Sequence, residues 1–186
     1  MDNAPRFDAD ASLQGRQYQQ GGELVGYSVS QESVDLNAYL YAEKRFLQQM
    51  AEVLDLNADV QKWDVEAERL AKQIQMQMYD PESGFFYDIR YSATGSELMI
   101  DKGKGVEGWL PLWAGVASKA QAKIMVERHL TADEFGSKIP FPTVSVDSPN
   151  FAATQYWRGP VWLDQALFGL QGIARYGYHE QAQSLA

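Results

Sequence analysis

The sequence predicts an all-α fold with a small β-hairpin insertion, and two observations indicate it. Apolar side chains recur at helical spacing over two long stretches, at residues 33–54 and 57–78. The stretches are nearly contiguous, so a tight turn must join them as an antiparallel helical hairpin. The rest of the sequence does not show the alternation of strand and helix that a parallel sheet requires.

Both long helices are expected to begin at a polar cap. Ser33 or Asp35 caps the first helix, and Asn57 or Asp59 caps the second. Each helix also carries an apolar stripe that is expected to face a partner. The stripe of the first helix consists of Leu36, Tyr39, Leu40, Phe46, Leu47, Met50 and Leu54. The stripe of the second helix consists of Val60, Trp63, Ala67, Leu70, Ile74 and Met78.

A turn and a strand pair follow the second helix. Residues 80–84, Asp-Pro-Glu-Ser-Gly, form a stop signal for that helix. The aromatic run at residues 85–91 predicts a strand, and residues 97–100 predict its hairpin partner. Residues 1–30 are rich in glycine, glutamine and aspartate, and they predict a loop with one brief extended segment at residues 24–29.

Shorter helices are expected in the second half of the chain. A third helix covers about residues 108–117, and a fourth, capped by Ser118, covers residues 119–130. Residues 131–159 then form a long loop that contains three prolines. Loops of this length in a compact domain are usually functional.

The last helices complete a rhythm of helix pairs. Pro160 is expected in the first turn of a fifth helix, which ends near Tyr176 before Gly177, and a sixth begins at His179. Helix pairs joined by short turns are typical of a toroid of helices, the (α/α)6 barrel. A complete toroid needs twelve helices and about six are predicted. We therefore expect residues 1–186 to be part of one such barrel domain, truncated at both ends.

The composition excludes several classes of function. With 25 acidic and 16 basic side chains, the formal net charge is −9, which is opposite to the basic surface of a nucleic-acid-binding protein. The absence of cysteine excludes disulfides, thiolate metal sites and thiol nucleophiles. No apolar run approaches the ~20 residues of a membrane span, and the acidic first residues predict no signal peptide. An acidic surface suits a neutral substrate such as a sugar.

The strongest functional motif is the aromatic segment at residues 156–162, Tyr-Trp-Arg-Gly-Pro-Val-Trp. An indole ring can stack on the apolar face of a pyranose while its N–H binds a polar group. The guanidinium of Arg158 can orient a carboxylate or bind hydroxyl groups. Trp157 and Trp162 are therefore candidate sugar-binding residues, although the predicted position of Trp162 inside a helix also suits core packing.

The opening loop supplies a candidate general acid. Asp2 lies beside Asn3, Arg6 and Phe7. A carboxyl group donates a proton near neutral pH when apolar walls or another carboxylate raise its pKa. The alternative is a solvated terminus without a catalytic role.

Two further segments carry polar candidates with structural alternatives. Glu32 and Asp35 could bind a hard cation or a substrate hydroxyl, or they could simply favour the start of the first helix. Residues 101–109 are glycine-rich but lack phosphate-loop spacing, so they suit either a polyol or a plain turn. His129 and His179 are isolated in the sequence and are interpreted as surface residues.

Four motifs, taken in order, resemble glycoside hydrolase family 63. They are residues 1–7 (Met-Asp-Asn-Ala-Pro-Arg-Phe), 31–35 (Gln-Glu-Ser-Val-Asp), 103–112 (Gly-Lys-Gly-Val-Glu-Gly-Trp-Leu-Pro-Leu) and 156–162, the last followed by Asp-Gln. Their order and spacing match over nearly the whole chain, which is far more specific than any single motif. The chain looks most like the bacterial α-glucosidase branch, related to eukaryotic processing α-glucosidase I.

The resemblance implies an inverting, exo-acting α-glucosidase on an (α/α)6 barrel, which hydrolyses terminal α-glucosidic bonds of oligosaccharides. It implies that Asp2 is the general acid and that Glu32 is a candidate ligand of a structural calcium ion, with no cofactor required for the chemistry. An inverting enzyme needs a second carboxyl group as general base, about 6.5–9.5 Å from the first. In the family this base is a glutamate downstream of the 156–162 motif. No glutamate here matches it, so we expect the isolated chain to be inactive.

The resemblance also implies substrate-binding roles for residues within the four motifs. These residues are Asn3, Arg6, Asp35, Lys104, Glu107, Trp109, Tyr156, Trp157, Arg158 and Trp162. The expected partner is an oligosaccharide, with neither nucleic acid nor a membrane involved, and the oligomeric state stays open. The bacterial members suggest a periplasmic or secreted protein.

Three alternatives remain open from the sequence. A trehalase or a mannosylglycerate-type hydrolase would share the acid and aromatic motifs. A non-catalytic helical domain that binds carbohydrate would keep its affinity without Asp2. A terpenoid cyclase or a lyase can use a helical toroid, but fold does not fix function, and no aspartate-rich metal motif supports that reading.

Overall fold

A computed structural model describes residues 3–8 and 15–186 of the chain. Within these residues the fold is mainly helical, which confirms the predicted class, and three small sheets accompany the helices. The α-helices are α1 (Val34–Val53), α2 (Asn57–Gln77), α3 (Leu110–Ala114), α4 (Lys119–His129), α5 (Leu163–Arg175) and α6 (His179–Leu185). The strands are β1 (Gly15–Gln20), β2 (Glu23–Val29), β3 (Gln31–Glu32), β4 (Tyr79–Asp80), β5 (Phe85–Phe86), β6 (Ile89–Ser92) and β7 (Gly95–Leu98).

Helices α1 and α2 form the predicted antiparallel hairpin and pack along each other. The turn between them places Asp55 in the left-handed region at φ 56°, a conformation that aspartate adopts more readily than most residues. The predicted stripe of α2 is confirmed at Ala67, Ile74 and Met78, which are buried.

Helix α1 buries a different face from the one that the sequence predicted. Ala38, Tyr41 and Ala42 face the core, whereas Leu36 and Phe46 of the predicted stripe are each 57% exposed. Both faces of this helix carry apolar side chains, so periodicity could not decide between them. The small alanines let the neighbouring elements approach α1 closely, and this packing selects the buried face.

Residues 15–29 form an antiparallel β-hairpin, where the sequence predicted a loop with one extended segment. Strands β1 and β2 are joined by Gly21 and Gly22, which both adopt positive φ as a tight hairpin turn requires. The side chains of β2 are almost all exposed. The hairpin therefore lacks the single buried face that produces a clear apolar alternation in a sequence.

The predicted strand at residues 85–91 is two short strands with a break at Tyr87 and Asp88. Strand β5 pairs with β4, whereas β6 pairs with β3 on one side and β7 on the other. The hairpin partner predicted at residues 97–100 is accordingly β7, which ends at Leu98. The break leaves Asp88 between the two sheets and buries its side chain.

The third and fifth helices differ from the prediction at their starts. The third begins as a 3-10 helix, Val106–Trp109, before it continues into α3. Helix α5 begins at Leu163, so Pro160 and Trp162 precede it and the prediction that they lie inside the helix is wrong. Helix α4 is confirmed, and the Ser118 hydroxyl forms a capping box at its start.

An aromatic cluster occupies the core between β5, the 3-10 helix before α3, and the long loop. Phe85 stacks on Phe135 with 5.6 Å between ring centroids, and Trp109 meets Phe141 edge-on at 5.2 Å. All four side chains are at most 1% exposed. The cluster anchors a loop without regular secondary structure to the helical body. Within the described residues, no helix is both long and apolar enough to cross a membrane.

Gly108 is the position where this packing tolerates the least change. A Cβ atom there would lie 2.6 Å from the carbonyl oxygen of Phe86 and closer still to the Phe85 ring. We expect Gly108→Ala to lower the free energy of unfolding by about 2 kcal/mol or more, because neither neighbour can move without disturbing the aromatic cluster. Urea denaturation measures the loss.

The matched control is Gly26→Ala. A Cβ atom at Gly26 meets nothing within 4 Å, and its φ is not positive. This variant should change the free energy of unfolding by less than about 0.5 kcal/mol. Equal losses in the two variants would contradict the packing described for Gly108.

Candidate active site

Residues 3–8, here named the clasp segment, lie across the helical body and reach the 156–162 motif. Pro5–Phe7 form one 3-10 turn, in which the N–H groups of Phe7 and Asp8 donate to the carbonyls of Ala4 and Pro5. The side-chain oxygen of Asn3 accepts the backbone N–H of Trp157 at 2.8 Å. These contacts fix the described part of the opening loop against the aromatic motif.

Arg6 lies at the centre of a buried ion cluster. Its guanidinium is paired with Asp35 at 2.8 Å and Asp88 at 3.2 Å, and its Nε atom lies 3.8 Å from Glu107. The pairing with Asp35 is bidentate, which is the strongest geometry available to these groups. The side chain of Arg6 is 5% exposed and is therefore buried among these partners in the described structure. The predicted substrate-binding residues Arg6, Asp35 and Glu107 are therefore brought together as one cluster.

Asp88 joins the cluster from the break between β5 and β6, and the sequence analysis missed it. Its carboxylate accepts the backbone N–H of Val34 at 2.7 Å and the side-chain amide of Gln31 at 2.6 Å. Asp88 thus accepts the first free N–H of α1. The sequence predicted that Ser33 or Asp35 would cap this helix, but Ser33 forms no side-chain cap. The sequence held one signal for this role, namely a single aspartate within the aromatic run that predicts a strand at residues 85–91.

The cluster shifts the pKa values of its members. Burial raises the pKa of Glu107 to about 7, and repulsion from Asp88 and Asp35 adds to this effect while Arg6 opposes it. Burial likewise raises the pKa of Asp88. Burial alone would lower the pKa of Arg6, but the charges of Glu107, Asp88 and Asp35 outweigh it and raise that pKa. Glu107 and Asp88 therefore retain a proton more readily than isolated carboxyl groups do.

Tyr156, Trp157 and Trp162, here named the aromatic rim, form one surface ahead of α5. The indoles of Trp157 and Trp162 stack with their centroids 5.2 Å apart and their planes 11° from parallel. Tyr156 meets Trp162 edge-on at 4.9 Å and is 53% exposed. Since each indole is only partly buried, the rim offers apolar faces of the kind that stack on a sugar ring.

Arg158 and Lys104, which the sequence singled out as binding residues, are both engaged in ion pairs. Arg158 is paired with Asp8 of the clasp segment. Lys104 lies 2.7 Å from Glu134 and 3.2 Å from Asp147, so it connects the glycine-rich loop to two points of the long loop. These cations hold loops together in the structure described.

His129 was interpreted as a surface residue, and this is wrong. The ring is 5% exposed, lies edge-on to Phe85, and contacts Glu134 at 2.8 Å and the Ser83 carbonyl at 2.9 Å. Trp109, a predicted substrate-binding residue, is 1% exposed and packs in the aromatic core cluster, and its contact with substrate stays a prediction. Its burial reflects its position at the last residue of a 3-10 helix that packs under β5.

Glu32 was predicted as a calcium ligand. Its carboxylate accepts hydrogen bonds from Gln73 at 2.8 Å and from the Tyr91 hydroxyl, and the latter bond raises the pKa of Tyr91 to about 12. Among residues 3–8 and 15–186, no group of three or more Asp, Glu or His side chains could hold a metal ion. The calcium site stays a prediction. Asp2 lies outside the described residues, so its role as general acid also stays a prediction.

Comparison with known proteins identifies similar chains. The family model described as a mannosylglycerate hydrolase MGH1-like glycoside hydrolase domain matches residues 1–186. Mannosylglycerate hydrolase from Thermus thermophilus is 29% identical over 155 residues, which cover 82% of this chain and 35% of the relative. Cytosolic neutral trehalase from Kluyveromyces lactis is 27% identical over 170 residues, which cover 83% of this chain and 22% of that enzyme.

A solved structure shows the same relationship. The GH63 mannosylglycerate hydrolase from Thermus thermophilus in complex with glucose matches at a TM-score of 0.64 and 27% identity, over 83% of this chain and 35% of that one. These matches confirm the resemblance to family 63. The chain spans about a third or less of the length of these relatives.

The raised pKa of Glu107 predicts how stability depends on pH. Because the pKa of about 7 in the folded chain lies above the ordinary value of 4.5, the folded state binds this proton more tightly than the unfolded state. Its contribution is complete below about pH 4.5 and is lost as the pH rises through about 7. We expect the free energy of unfolding to fall by roughly 1–3 kcal/mol between pH 5 and pH 8 on this account.

Glu107→Gln should reduce that slope, since an amide does not titrate. Urea denaturation of wild type and variant at both pH values measures it. Glu97→Gln is the control, because the Glu97 side chain is 65% exposed on β7. A slope that is the same in wild type and Glu107→Gln would show that Glu107 does not hold the proton.

Proposed function

Because this chain belongs to the mannosylglycerate hydrolase MGH1-like glycoside hydrolase domain family, we propose that its protein hydrolyses α-glycosidic bonds of small sugars. The observation that carries the proposal is the aromatic rim, held next to the clasp segment by the bond from the Trp157 N–H to Asn3. A stacking surface beside a loop with a candidate acid is the arrangement that sugar cleavage requires.

In the proposed mechanism, this chain binds and orients the glycosyl unit. The rim supplies apolar faces for the ring carbons, and Asp2, next to Asn3, protonates the leaving oxygen. A second carboxylate activates water on the opposite face of the ring, so the anomeric configuration inverts. The arrangement of helix pairs suits the proposed (α/α)6 barrel, in which loops at one end form the site.

Two substrate classes compete within this proposal. The sequence motifs favour terminal α-glucosides of oligosaccharides. The relatives named above are mannosylglycerate hydrolases and a trehalase, and this favours a disaccharide or a glycosyl-glycerate. In the described structure Arg158, which lies within the 156–162 motif, is paired with Asp8, so the rim is better suited to a neutral glycosyl unit than to an anion.

Calcium binding at Glu32 is a separate proposal. A calcium ion would take the carboxylate oxygens that now accept hydrogen bonds from Gln73 and Tyr91. Oxygen ligands of this kind suit calcium, but further ligands would have to come from elsewhere in the protein.

Sugar binding to the chain tests the proposed function directly. We expect Trp157→Ala to weaken binding of trehalose, a nigerose-type disaccharide or mannosylglycerate by about tenfold, which corresponds to roughly 1.4 kcal/mol of lost stacking. Isothermal titration calorimetry with each sugar measures this and ranks the two substrate classes.

Trp63→Ala is the matched control, since Trp63 lies on α2 beside Lys44 and Lys62 and far along the chain from the rim. Its affinity for sugar should equal that of wild type. Absence of binding for all three sugars, or equal losses in both variants, would contradict the rim as the glycosyl site.

Hydrolysis tests the assignment of the acid. Any turnover of these sugars is expected to fall at least about 100-fold in Asp2→Asn, the usual contribution of a general acid. Turnover that persists in this variant would overturn the role of Asp2.

A further inference from the structure

The aromatic rim has little regular structure of its own to hold it. It precedes α5, and the residues around it form tight turns in which Ala152 donates to the Arg158 carbonyl and Arg158 donates to the Gln155 carbonyl. A loop of this kind takes its position from contacts with other parts of the chain. Two such contacts come from the clasp segment, at Asn3 and at Asp8.

The clasp segment is short and stiff between these two contacts. Pro5 restricts the backbone, and two 3-10 hydrogen bonds, of 2.9 Å and 3.0 Å, close the turn from Ala4 to Asp8. Ala4 and Pro5, which belong to the segment, are themselves buried. A displacement of the middle of this segment is therefore passed to both of its ends.

Arg6, in the middle of the segment, fixes it to the helical body. Among the described residues its carboxylate partners come from three separate elements: Asp35 from the first turn of α1, Asp88 from the break between β5 and β6, and Glu107 from the 3-10 helix before α3. Buried carboxylates that lose their cation are strongly destabilised, so the cluster holds Arg6 in place.

We propose that Arg6 is a positioning residue for the aromatic rim. Its buried carboxylate partners anchor the clasp segment, and the segment in turn holds Trp157 through Asn3 and Arg158 through Asp8. This inference rests on the proposed function only in treating the rim as the sugar-binding surface. The position of the rim can be measured without any sugar.

The geometry requires arginine rather than any cation. The planar fork reaches Asp35 and Asp88 at the same time and with two nitrogens toward Asp35. A lysine ammonium is a point charge that cannot reproduce this fork. Arg6→Lys keeps the charge of the cluster and so keeps the fold, but it loosens the anchor.

Hydrogen exchange of the Trp157 amide measures the anchor directly, because this N–H donates to Asn3. In Arg6→Lys we expect the amide of Trp157 to exchange about tenfold faster or more. This is the factor expected when the charge-assisted bonds from residue 6 to Asp35 and Asp88 weaken. The amide of Ile74, inside α2, serves as the reference for global unfolding. Its rate should change no more than in the control Arg45→Lys, which alters another arginine paired with two carboxylates.

A merely structural role for Arg6 gives a different result. It would speed exchange at Ile74 at least as much as at Trp157, because all amides would then exchange through loss of global stability. That outcome, or an unchanged rate at Trp157, overturns the proposal.

Asn3→Ala provides a second test that leaves the ion cluster intact. It removes the acceptor for the Trp157 N–H, so exchange at Trp157 should rise without a change at Ile74. The double variant Arg6→Lys with Asn3→Ala should exchange no faster at Trp157 than Asn3→Ala alone, because both changes act through one contact. Multiplied effects in the double variant would contradict the proposed path from Arg6 to the rim.

Sugar affinity then separates this proposal from the proposed function. If wild type binds sugar, Arg6→Lys should weaken binding by a factor similar to the rise in the exchange rate of the Trp157 amide. If neither the sugar affinity nor that exchange rate changes, the positioning role is overturned. If wild type binds none of the sugars while exchange at Trp157 responds as described, the proposed function fails and the positioning role stands.

Discussion

The rest of the structure depends on one buried guanidinium shared by carboxylates from separate elements. Arg6 holds Asp35 at the start of α1, Asp88 between two small sheets and Glu107 ahead of α3. Such a cluster contributes little net stability, since desolvation offsets much of the attraction. What the cluster supplies is a fixed arrangement of these elements. The guanidinium of Arg6 needs the carboxylates, and each buried carboxylate needs the guanidinium.

The balance of charge explains several local features together. One cation cannot neutralise three carboxylates, and this shortage of positive charge adds to burial, which is the main cause of the raised pKa values of Glu107 and Asp88. Asp88 relieves part of it by accepting hydrogen bonds from Val34 and Gln31, which also completes the start of α1. The helix start, the sheet break and the clasp segment therefore meet at one ion cluster.

Sequence reasoning succeeded where local rules decide the structure and failed where distant contacts do. The bounds of α1 and α2 follow from periodicity alone, since the residues at their starts, Ser33 and Leu56, form no side-chain cap, whereas α4 has the predicted Ser118 cap. The rim was found from its unusual aromatic content. The buried face of α1 and the burial of Trp109 depend on which surfaces meet in three dimensions, which spacing does not encode. Asp88 could not be grouped with Arg6 because 82 residues separate them. The motifs at Arg6, Asp35 and Glu107 meet in one ion cluster, and direct contact of these residues with a substrate stays a prediction.

A double-mutant cycle between Arg6 and Asp88 tests this central claim most directly. Urea denaturation gives the free energies of unfolding of wild type, Arg6→Met, Asp88→Asn and the double variant. If the cluster determines the arrangement, the cost of Arg6→Met is much reduced once Asp88 is neutral, and the coupling free energy is about 2 kcal/mol or more. Effects that add within about 0.5 kcal/mol would show that the two residues act independently and would contradict the account.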